Sequence, residues 1–100
     1  MDPVALVDVY DQHGRVQQRL RLAGAGSQCC IGRGVDCDIV VDDPYVAGRH
    51  ALLVLQEDGR LLVRDLGTRN GTQAEGRQLP AGGETVVSGG ELRLGRTLVR

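Results

Sequence analysis

Three short loops hold the residues with chemistry to offer. Arg33 stands between two glycines in "IGRGVDC". Arg49 and His50 close "DPYVAGRH" at the entrance to an apolar run. Thr68, Arg69 and Asn70 fall in "GTRNGT", and Asn70 is the only Asn in the chain. The glycines beside Arg33 let the backbone bend and leave the guanidinium room. All twelve Lys-or-Arg positions are Arg, the residue suited to planar, bidentate recognition of an anion. A compositional bias explains that usage as simply. Taken singly, each loop also has a plainer reading: a surface Arg, an imidazole bonding loop carbonyls, and an Asn that tolerates a left-handed turn.

The remaining residues offer little to catalysis. Ser27 and Ser88 are the only serines, and neither sits in a nucleophile elbow. Cys29, Cys30 and Cys37 lie in or beside apolar strands, where a thiol is usually inert. Adjacent cysteines rarely pair, and the spacing fits no usual zinc motif. Free thiols are expected, which suggests a reducing cytosol. Asp36, Asp38, Asp42 and Asp43 cluster without the Gly and Glu of a calcium loop and read as solvated strand ends. "GAGS" has no following Lys and no helix, so it reads as a turn. No catalytic residue, metal site or cofactor is expected, and no enzymatic activity.

Net charge is −1, and Tyr10 and Tyr45 are the only aromatics. Neither bulk attraction to phosphate nor base stacking has much to work with, so no nucleic-acid or membrane partner is expected. "MDPVALVDVYD" lacks the basic start and unbroken apolar run of a signal peptide. No stretch approaches the length of a membrane span. A cytoplasmic location is the expectation.

The elements that must position these loops are strands. "VALVDVY" and "VQQRLRL" flank the turn "DQHG" and predict a hairpin. "QCCIG" is a short apolar strand, and "DIVVDD" is a second, ending at Pro44. "HALLVLQ" and "RLLVRDL" flank "EDG", another hairpin. Asn-Gly marks a turn in "GTRNGT", and "TQAEGRQLP" holds two very short strands about Glu75–Gly76. Further strands fall at Val86–Val87, Leu92–Leu94 and Leu98–Val99. Fifteen glycines spread at strand ends make long helices costly. One hundred residues suffice for one domain, 1–100, and the turn spacing suggests an all-β sandwich or barrel of about ten strands.

In order, "IGRGVDCDIVVDDPYVAGRHALL" and "DLGTRNGT" resemble the forkhead-associated (FHA) domain. The match covers Gly32, Arg33, Asp38, Ile39, Asp42, Val46, His50, Asp65, Leu66, Asn70, Gly71 and Thr72 with spacing kept, and "GGELRLG" fits a later segment. The resemblance implies an eleven-stranded antiparallel-type β-sandwich with a phosphothreonine-peptide site on loops at one end. In that family the residue at Arg33 contacts the phosphate and the residue at Asn70 holds the peptide backbone. Gly32 and His50 then support the loops, as do Gly71 and Thr72. These roles suit the chemistry, since a phosphate dianion favours forked and hydroxyl donors on preorganised loops.

The departures fall on the same loops. The family's phosphate-binding Ser is Ala47, and the next position is Gly48. Arg69 replaces the hydroxyl residue before the Asn, and Thr68 replaces a Ser. A lost hydrogen bond to a charged group costs roughly 1.5–3 kcal/mol, which Arg69 and Arg49 can offset with charge. The resemblance thus implies a phosphothreonine-peptide module with a weakened or rewired pocket drawn from Arg33, Ala47, Gly48, Arg49, Thr68, Arg69 and Asn70. The alternative is a phosphorylation-independent interaction or self-association module on the same fold. Partners are a phosphorylated protein or peptide, or an unphosphorylated protein, with the chain a monomer or weakly self-associating.

Overall fold

The computed structural model describes residues 2–100. Eleven strands run in order: β1 (Val4–Tyr10), β2 (Val16–Ala23), β3 (Gln28–Gly32), β4 (Ile39–Val40), β5 (Ala51–Leu55), β6 (Leu61–Asp65), β7 (Thr72–Ala74), β8 (Arg77–Gln78), β9 (Glu84–Val87), β10 (Leu92–Leu94) and β11 (Thr97–Val99). They form a sandwich of two sheets, ordered β2-β1-β11-β10-β7-β8 and β4-β3-β5-β6-β9. There is no helix among the described residues, and so none long and apolar enough to cross a membrane. The expected hairpins, β1–β2 and β5–β6, are both present.

Alternation along each strand builds the core. Ala51, Leu53 and Leu55 of β5 are buried, while Leu52 and Val54 between them are half-buried on the outer face. Val63 pairs opposite Leu53, and Ile31 opposite Ala51. Val7, Val9, Leu92, Leu94 and Val99 close the core from the facing sheet. With no Phe or Trp in the chain, branched aliphatics fill the interior.

One expected strand is much shorter than its sequence pattern. Of "DIVVDD", only Ile39–Val40 pairs, and it runs parallel to β3 with Ile31 beside Ile39. Two residues advance the chain only about 7 Å, so it never reaches the other end of the sandwich. The β3–β4 and β4–β5 connections therefore lie at one end. β5 descends antiparallel to β3 and β6 returns beside it, with Asp65 level with Ala51. The β6–β7 loop thus leaves from that end too. The turn between β10 and β11 joins it, because Leu94 sits opposite Thr72.

The aspartates of that segment also divide. Asp36, Asp38 and Asp42 are exposed, as solvated strand ends should be, and Asp38 accepts from Cys30 N at 2.8 Å. Asp43 is not one of them: it is buried and accepts from Tyr45 N (2.9 Å), Arg96 N (2.7 Å) and Thr97 Oγ1 (2.9 Å). The correction has a simple cause. Gly95 turns the β10–β11 connection with φ 57°, bringing amide and hydroxyl donors over the carboxylate.

Candidate functional site

His50 is the hub of the loop end. It is fully buried at the start of β5. Its Nδ1 accepts from Ala47 N at 2.9 Å, which leaves the ring proton on Nε2. Nε2 donates to the Gly71 carbonyl at 2.8 Å. One imidazole thereby joins the β4–β5 loop to the β6–β7 loop. The β3–β4 loop is tied in by backbone, with Arg33 N donating to Ala47 O (3.0 Å) and Gly34 N to Gly48 O (2.9 Å). That close approach requires Gly32, since a Cβ there would collide with the Gly48 carbonyl and Cys37 Sγ.

Asp65 plays the matching part under the β6–β7 loop. Fully buried, it accepts from the hydroxyls of Thr68 (2.6 Å) and Thr72 (2.8 Å) and from the amides of Gly67 and Thr68 (both 3.1 Å). Thr68 Oγ1 also accepts from Gly71 N at 3.0 Å, so its hydroxyl is spent inside the loop. Gly71 has φ 78°, and a Cβ there would strike the Gln78 amide. Thr72 is buried at the first position of β7.

These bonds leave a cleft of about 240 Å³, lined by Arg33, Pro44, Tyr45, Val46, Ala47, His50, Thr68, Arg69 and Asn70. No carboxylate lines it. The Arg33 and Arg69 side chains are exposed, with no ion pair or hydrogen bond among the described residues. Asn70 donates from Nδ2 to Tyr45 O at 2.8 Å, which fixes the amide and leaves its oxygen without a donor among the described residues. Ala47 contributes only a methyl group. A larger hollow of about 630 Å³ lies at the opposite end, but Glu57 and Asp58 line it and no arginine does.

Arg49 and Gly48 do not join the cleft. The Arg49 guanidinium reaches Asp36 at 3.5 Å, and both side chains are largely exposed. Gly48 contributes its carbonyl to the loop contact instead, and a Cβ at this position would stand in open space. Tyr45 lines the cleft although no local pattern marks it. Its ring carries the Arg96 guanidinium at 4.8 Å, and its hydroxyl accepts from Arg96 at 3.2 Å. The structural carboxylate at Asp65 does have a local signal: "DLGT" places an Asp where its side chain can bond amides two and three residues on.

The two buried carboxylates make stability depend on pH. Burial works to raise Asp65, but the Thr68 and Thr72 hydroxyls and the loop amides outweigh it and hold the group below its ordinary value of 3.8. Asp43 behaves alike, with burial opposed by the Tyr45 and Arg96 amides and the Thr97 hydroxyl. A depressed folded-state pKa contributes stability that is complete above the unfolded value and lost as pH falls through the folded one. The urea midpoint is therefore expected to hold steady from pH 7 to about 5 and to fall below about 4. Asp65→Asn should flatten that decline.

A family model for the FHA domain matches residues 29–95. No curated protein sequence matches the chain. Among solved structures, the FHA domain of the CT664 protein from Chlamydia trachomatis superposes with a TM-score of 0.81 at 27% identity, covering 94% of this chain and 91% of that one. The FhaA FHA domain, solved in complex with the intracellular domain of Rv3910, gives a TM-score of 0.72 at 29% identity over 96% of each chain. A domain from a study of phosphothreonine-dependent FHA domain interactions gives 0.73 at 28% identity, covering 96% of this chain and 91% of that one.

Proposed function

This chain belongs to the FHA-domain family, and from that premise we propose that residues 1–100 form one non-catalytic interaction domain whose loop end binds phosphothreonine peptides through a rewired pocket. The observation that carries the reading is the pair of unpartnered guanidinium groups, Arg33 and Arg69, from separate loops on one cleft without a carboxylate. Guanidinium forks match phosphate oxygens and are strongest where no acid competes. Arg69 adds charged N–H donors to a cleft in which position 47 offers no hydroxyl. Asn70, held by Tyr45 O, presents its oxygen to a peptide amide. Arg49 is left out of this set because Asp36 engages it, and Thr68 acts by bracing the loop. Phosphothreonine-dependent interaction of one similar domain, and the complex of another with an intracellular domain, support the reading.

The test is a titration with a phosphothreonine peptide and its unphosphorylated twin, followed by side-chain resonances of Arg33 and Asn70. Only the phosphorylated peptide is expected to move them. An equal response to both would sink the reading. Ala47→Ser supplies a complementary gain. It places a hydroxyl on the cleft wall, beside the phosphate expected at Arg33, and should tighten phosphopeptide binding by about tenfold.

A second reading is favoured by the bare methyl at Ala47. On it, the domain binds an unphosphorylated protein, and Arg33→Ala leaves that binding unchanged. Loss of partner binding both on phosphatase treatment and on Arg33→Ala would exclude it.

A further inference from the structure

At the base of the Arg33 loop lie two thiols that the proposed pocket does not use. Alternation on β3 turns Cys29 into the core and Cys30 to the outer face, where the loop covers it. Cys37, on that loop, is buried as well. The two sulfurs, Cys30 Sγ and Cys37 Sγ, lie 3.0 Å apart. Cys37 donates onward to the Gly48 carbonyl at 3.2 Å, so the proton between the sulfurs belongs to Cys30. Such a chain holds the sulfurs in contact in the reduced protein. Arg33 lies inside the segment that a bond between them would close.

We propose that Cys30 and Cys37 are an oxidation site, a dithiol that a hydroperoxide converts to a disulfide across the base of the Arg33 loop. One thiolate attacks the peroxide O–O bond, taking one oxygen as a sulfenic acid and releasing hydroxide (for hydrogen peroxide) or alkoxide. The second thiol then attacks that sulfur, forming the S–S bond and expelling water. Two thiols are oxidised by two electrons, and one peroxide is reduced. Closure removes the thiol donor from Gly48 O, which keeps its bond from Gly34 N. It also ties the Arg33 loop to β3. Cys29 takes no part, because its side chain points into the opposite face of the sheet. Burial and the Cys37 contact push the Cys30 thiol up to about 12, so the reaction is slow at neutral pH and suited to alkaline conditions.

The experiment treats the folded full chain with hydrogen peroxide at pH 8.5, alkylates the remaining thiols in denaturant, and maps tryptic peptides. Trypsin cuts after Arg33, between the two cysteines. The expected result is a monomer lighter by two hydrogens, with one alkylated thiol at Cys29 and peptides 22–33 and 34–49 joined until reduced. Cys29→Ser should keep the joined peptides, and Cys30→Ser should lose them. Should Cys30→Ser fail to fold, the wild-type and Cys29→Ser maps decide between the sites. Oxygen addition without joined peptides, a bridge through Cys29, or a cross-link only between chains overturns the proposal. None of these outcomes depends on whether the loop end binds phosphate.

Discussion

Arg33→Ala is expected to weaken phosphopeptide binding by roughly thirty- to a hundred-fold, about 2–3 kcal/mol, with the fold intact. The guanidinium makes no ion pair or hydrogen bond within the described residues, so its removal breaks none. Its backbone amide still bonds Ala47 O. Fluorescence anisotropy with a labelled phosphothreonine peptide measures the loss, and an unchanged urea midpoint checks the fold. Arg69→Ala should also weaken binding, since it removes the second guanidinium on the cleft. Arg49→Ala should have little effect, since Asp36 already engages that charge at the rim. A phosphopeptide affinity unmoved by Arg33→Ala would remove the phosphate from this cleft.

Asp65→Ala carries the largest expected effect on stability, a loss of roughly 3–5 kcal/mol. The carboxylate is the acceptor for two hydroxyls and two loop amides at 3.1 Å or less, and it is fully buried. Alanine would leave those donors without a partner and a cavity beneath them. A typical domain has only about 5–15 kcal/mol in total, so the variant should unfold at far lower urea. Asp65→Asn keeps the shape but turns an amide NH2 toward donors, so it should recover only part of the loss. Urea unfolding by circular dichroism measures all three proteins. A loss below about 1 kcal/mol for Asp65→Ala would show that the loop re-forms its bonds elsewhere.

Much of this architecture was legible from residue order. Turn markers such as "EDG" and Asn-Gly delimit short apolar runs, and β5 and β6 stand where "HALLVLQ" and "RLLVRDL" place them. The shortness of β4 was not legible. "DIVVDD" has the composition of a six-residue strand, but it pairs only where β3 offers partners, and donors from the distant β10–β11 turn capture Asp43. Nothing local separates Asp43 from exposed Asp42, because a carboxylate is buried only where the fold delivers donors to it.

The loop residues show the same division. Residue types and spacing alone placed Arg33, Arg69 and Asn70 in turns bounded by strands, and made Ala47 a position without a side-chain donor. These are properties of short segments, set by glycine freedom, turn chemistry and side-chain chemistry. Tertiary structure decided which arginines share a cleft. Arg49 and Arg69 are equivalent as sequence, yet one is drawn to Asp36 and the other faces the cleft beside Arg33. The cause is β4: two residues parallel to β3 leave the first two loops at one end, and antiparallel β5 and β6 bring the third there. His50 then bonds the last two together through one ring. Strand direction and buried hydrogen bonds between residues far apart in the chain are relations that no local stretch contains.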